Sequence, residues 1–163
     1  MTFRTTVLAV LALAASGVTA NAQVTQTRET IAYDGARQIV DTCMTMARAK
    51  HWPIAVWVLD ITGQPVYFAS LGASEVAITT AKFKAETALR TGAPSEARAS
   101  SLSTPMGQLT TAKIDLFPVA GGLPLIKDGK TIGAVGAGGG RPDNGQSPDE
   151  VCAQAGIDMV FKK

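Results

Sequence analysis

Nine of the sixteen glycines in this chain fall between Gly121 and Gly145, and five of them crowd the end of one apolar run at Gly133, Gly136, Gly138, Gly139 and Gly140. A strand interior ordinarily excludes glycine, which has no side chain to pack and the most backbone entropy to lose. Such a concentration calls for close approach by another backbone or by a ligand. The run belongs to a hairpin: Leu123-Pro124-Leu125-Ile126 leads out, Asp128-Gly129 gives a type I′ turn signal, and Thr131 to Ala137 returns.

The rest of the chain alternates between helical and extended periods. From Ile31 to Ala49, apolar side chains recur at Tyr33, Ala36, Ile39, Val40, Cys43, Met44 and Ala47, the one-sided stripe of an amphipathic helix. Pro53 ends it. Ile54 to Leu59 and Pro65 to Ala69 read as strands joined by a turn at Asp60-Ile61-Thr62-Gly63, with Asp60 stabilising that turn by local hydrogen bonds. Glu75 to Arg90 returns to a helical period that Gly92-Ala93-Pro94 closes. Residues 95–113 are rich in Ser, Thr and Ala and interrupted by Pro105 and Gly107, which predicts a long loop with a short helix. Ser147-Pro148-Asp149-Glu150 has the form of a capping box opening a last helix, with Asp149 and Glu150 complementing its N-terminus. This order predicts an α+β fold with a largely antiparallel sheet.

Residues 1–22 carry Arg4, the apolar run Val7 to Ala15 and the exit Ala20-Asn21-Ala22, the arrangement of a secretory signal peptide. The run is about half the roughly 20 residues that span a bilayer, so cleavage is favoured over a retained anchor. A single domain over residues 23–163 is expected, periplasmic or secreted, with no membrane association after cleavage. In an oxidising compartment Cys43 and Cys152, which lack C-x-x-C spacing, form either one disulfide or two buried thiols.

Charge and residue chemistry narrow the function. Lys and Arg number 15 against 13 Asp and Glu, with no basic stripe, so nucleic acid is not an expected partner. His51 is the only histidine, which excludes sites needing two imidazoles. It stands at the end of the first helix beside Trp52, where it is either a haem iron ligand with an apolar rim or a surface residue favoured by the helix dipole. The stretch from Gly136 to Arg141 is either a mobile glycine loop or an anion-binding concavity. In the second case Gly138, Gly139 and Arg141 suit a small carboxylate or a porphyrin propionate. Nucleophilic catalysis lacks a paired base, and an enzyme using Asp60 or Asp115 is the weakest alternative.

Together these segments resemble the GlcG/HbpS-like family of small haem-binding proteins. The resemblance rests on Val58-Leu59-Asp60-Ile61-Thr62-Gly63, on Lys84-Ala85-Glu86-Thr87-Ala88, on Gly121-Gly122-Leu123-Pro124-Leu125 and above all on Asp128 to Gly139, with Asp149-Glu150, Ala153 and Gly156 completing it. It implies a profilin-like sandwich, a central antiparallel sheet flanked by helices, and assembly into a homo-oligomer. It also implies haem as cofactor, with His51 the candidate metal ligand and Arg141 the candidate propionate partner. The alternative is a non-haem accessory protein that binds a small organic acid in an oxidation pathway. The chain departs from the family at Ala69-Ser70-Leu71-Gly72, where many members carry Arg-x-Asp-Gly.

Overall fold

Four strands, β1 (Ile54–Asp60), β2 (Pro65–Leu71), β3 (Gly122–Lys127) and β4 (Lys130–Gly138), form one antiparallel sheet in the order β2-β1-β4-β3 in a computed structural model. The structure describes residues 27–141 and 145–162, so the signal-peptide reading of residues 1–22 lies outside the described residues. Both strand pairs are hairpins. The β3–β4 turn has Asp128 at φ 49° and Gly129 at φ 72°, the two left-handed residues that a type I′ turn requires.

Helices α1 (Tyr33–Lys50) and α4 (Pro148–Phe161) cover one face of this sheet. Ile39, Val40, Cys43 and Ala47 of α1 meet Val56, Val58 and Val135 of the strands there in the main apolar core. A disulfide between Cys43 and Cys152 joins the two helices, with 4.8 Å between the Cα atoms. It closes a loop of 109 residues, and constraint of the unfolded chain by such a loop contributes about 4–5 kcal/mol.

The other face carries α2 (Glu75–Thr91), and here the strand glycines find their purpose. A Cβ at Gly136 would lie 2.1 Å from the Ala81 carbonyl oxygen, and one at Gly138 would lie 2.5 Å from that of Ala77. Across the pair from Gly136, a Cβ at Gly122 would meet the Lys84 carbonyl oxygen at 2.1 Å. The helix answers with alanine at 77, 81, 85 and 88, all buried. Backbone approach, the first of the two explanations open for a glycine-rich strand, is the one seen on this face.

Two sequence expectations are corrected. Residues 95–113 are largely helical: a 3-10 segment covers Ser95–Ser103 and α3 covers Pro105–Lys113. Pro105, expected as a breaker, is the first residue of α3, where its missing N–H costs nothing, and the Thr104 hydroxyl accepts the Gly107 N–H. The segment is tied to the domain by buried groups. Thr87 Oγ1 accepts the Phe117 N–H, and Ser95 Oγ donates to the Val119 carbonyl while accepting from Gly122. The second correction concerns Ser147, which is the N-cap of α4 but makes no side-chain cap hydrogen bond, so the capping box does not close. Its expected partner Glu150 faces Glu96 of the 3-10 segment instead.

Candidate functional site

The C-terminus of α1 determines where the only imidazole sits. The Trp52 N–H donates to the Ala47 carbonyl at 2.9 Å and the His51 N–H to the Arg48 carbonyl at 3.3 Å, the paired bonds of a Schellman ending. In that motif the left-handed position is normally glycine. Here it is His51, at φ 55° and ψ 37°. The exposed imidazole is thus held at a backbone position that a side chain makes less stable.

His51 lines an open hollow of about 390 Å³ together with Arg48, Trp52, Pro53 and Leu71. The sheet assembles this hollow by pairing Ile54 with Leu71, which brings the end of β2 beside the start of β1. Trp52, Pro53 and Leu71 form an apolar wall. Arg48, one turn before His51, adds a guanidinium. Arg48 has no signal in the sequence beyond its i, i+3 spacing from His51 on the last turn. Leu71 stands in the Ala69-Ser70-Leu71-Gly72 stretch that departs from the family, but its place beside His51 follows from strand pairing that no local pattern reveals.

The other expected residues lie at the same end of the sheet. Gly138 pairs with Ala55, and a Cβ at Gly139 would stand 2.3 Å from the Pro53 carbonyl oxygen, so the end of β4 abuts the backbone under the hollow. Gly139 has φ 108°, which side-chain-bearing residues rarely adopt. Arg141 follows, exposed, and is not among the residues lining the hollow.

Asp149 has a larger task than the helix-terminus role expected of it. Its carboxylate receives the Lys84 ammonium at 2.7 Å and the Gly140 N–H at 2.8 Å, and Lys84 also donates to the Ala137 carbonyl at 3.1 Å. Lys84 and Asp149 are 4% and 7% exposed, so this is a buried ion pair that ties α2, β4 and the start of α4 together. Its bond to Gly140 fixes the backbone that leads to Arg141.

Among the described residues Asp60, Asp115 and Asp149 stand in separate surroundings. Asp60 Oδ1 accepts from the Thr62 N–H, the Thr62 hydroxyl and the Gln64 N–H, the turn-stabilising role expected of it. Desolvation pushes that carboxyl up, but its hydrogen bonds from Thr62, Gln64 and Gly63 outweigh this and hold Asp60 below the usual carboxylate range. Asp115 stands elsewhere, in a hollow of about 340 Å³ with Phe83, Arg90 and Phe117. Glu96 and Glu150 share a third hollow of about 670 Å³, where burial, and then the Glu96 carboxylate, raise the Glu150 carboxyl. Among the described residues no group of three or more His, Cys, Asp or Glu side chains is placed to hold a metal ion, and no helix is long and apolar enough to cross a membrane.

The family model described as haem-degrading protein HbpS-like matches residues 31–158. The chain belongs to the HbpS-like family. Solved structures share its fold. The Klebsiella pneumoniae protein ORFY aligns with a TM-score of 0.74 at 23% identity, over 84% of this chain and 94% of that one. A double mutant of HbpS from Streptomyces reticuli aligns with a TM-score of 0.70 at 25% identity, over 94% and 99%. PduOC, solved as a haem complex, aligns with a TM-score of 0.67 at 20% identity, over 81% and 96%. No curated protein matches the sequence.

Proposed function

We propose that this HbpS-like protein is exported and binds haem, sequestering, carrying or sensing it, with His51 as the axial ligand. The observation that carries the reading is the placement of the only imidazole, at a left-handed helix end beside an apolar-walled hollow. The donor set suits a porphyrin. Neutral imidazole is a common nitrogen ligand for haem iron, and Trp52, Pro53 and Leu71 offer apolar contact to a flat ring. Haem would supply iron-centred redox and gas-binding chemistry, while the protein holds the ring and sets its exposure. The haem complex of PduOC supports the reading by likeness of fold. The Cys43–Cys152 disulfide supports export, because such bonds persist in oxidising compartments.

Haemin titration of the domain covering residues 23–163 tests the proposal. A saturable Soret shift in the wild type that weakens at least tenfold in His51→Ala supports it. A wild-type spectrum that stays that of free haemin refutes it.

A further inference from the structure

We infer that Arg48 supplies the counter-charge for a carboxylate arm of the ligand held at His51, so that the hollow selects an anionic porphyrin over a neutral one. This rests on the haem reading. Arg48 and His51 are joined through the His51 N–H to Arg48 carbonyl bond of the helix ending, so their backbones are fixed relative to one another. Both line the same hollow. Arg37 pairs with Asp41 at 3.9 Å, and Arg90 donates to the carbonyls of Ile114 and Asp115, whereas Lys50, Arg98 and Lys113 of the helices line no part of this hollow. Among the described residues the Arg48 side chain makes no hydrogen bond or ion pair, so its full donor set is open to a ligand.

The chemistry of that donor set is specific. A guanidinium presents a planar fork that matches a carboxylate bidentately, which an ammonium does not. The wall of Trp52, Pro53 and Leu71 sharpens the effect. A ring lying against it excludes water from one side of the ion pair, and hydrogen bonds to charged groups strengthen as the local dielectric falls. Arg141 is the competing cation expected from the sequence. It lies at the same end of the sheet but lines no part of the hollow.

The test compares haemin with its dimethyl ester, which keeps the ring and iron but removes both propionate charges. Wild type, Arg48→Ala, Arg48→Lys and Arg141→Ala are titrated with each porphyrin, and circular dichroism confirms that each variant is folded. Arg48→Ala should weaken haemin binding about fivefold, a loss of the size expected for a largely exposed ion pair, and leave ester binding unchanged. Arg48→Lys should recover part of the loss. Equal weakening of haemin and ester in Arg48→Ala, no weakening of either, or charge-selective weakening in Arg141→Ala alone would each overturn the assignment while leaving haem binding in place. If neither porphyrin shifts the Soret band of the wild type, the haem reading fails and the assignment falls with it.

Discussion

Replacing Lys84 with methionine tests whether the buried pair organises the end of the sheet. The substitution keeps most of the side-chain volume and removes the ammonium, leaving the Asp149 carboxylate 7% exposed with the Gly140 N–H as its remaining donor. Breaking a buried ion pair from one side costs about 3–5 kcal/mol, because the surviving charge is neither solvated nor paired. Against a total stability of about 5–15 kcal/mol this is a large fraction. With a urea dependence of about 2 kcal/mol per molar, the unfolding midpoint should fall by about 2 M. The double variant Lys84→Met/Asp149→Leu removes both charges and should recover much of the loss, giving a coupling energy of about 2 kcal/mol or more. Urea unfolding followed by circular dichroism measures all four corners of the cycle. The reasoning fails if Lys84→Met costs less than about 1 kcal/mol, or if the two substitutions are additive.

Other outcomes follow from the same geometry. Gly136→Ala places a methyl group 2.1 Å from the Ala81 carbonyl oxygen, where the contact is backbone and cannot swing aside, so thermal unfolding should show a loss of about 3 kcal/mol or more. Reducing the Cys43–Cys152 disulfide, or replacing both residues with alanine, should lower Tm by on the order of 10 °C. Unchanged Tm would show that the loop closure contributes nothing. Glu150 has its carboxyl raised by burial and by Glu96, so the stability it contributes is present below its unfolded pKa and lost as pH rises through the folded value. Glu150→Gln should therefore stabilise the protein at pH 7 by no more than a few tenths of a kcal/mol, the size of a solvent-screened interaction, and by nothing near pH 4, read from paired Tm measurements.

Much of this fold was legible because its signals are local. The Asp128-Gly129 turn, the stripe of α1 and the breaks at Pro53 and Gly92 each depend on neighbours within one turn of chain, and all appear in the structure. The glycines of β4 announced a close approach, and α2 supplies it at Gly136 and Gly138. The buried Lys84 gave no such signal. It sits between Lys82 and Glu86, which pair with each other on the surface, and its own partner lies 65 residues away. A short helix was expected within residues 95–113, but its start and the helical extent of the segment were hidden because Pro105 and Gly107 serve the first turn of α3 while resembling interruptions. At the site, His51 and Trp52 could be named from the sequence. Arg48 and Leu71 join them only through the helix ending and the register of β2 on β1.

The central claim is that the His51 imidazole itself ligates the iron, and a His51→Gly variant with added imidazole tests it most directly. Glycine suits the left-handed position, so the variant should be about 1 kcal/mol more stable than wild type and fully folded. Loaded with haemin it should lack the wild-type Soret band, and millimolar imidazole should restore that band. A wild-type spectrum in His51→Gly without imidazole would contradict the account.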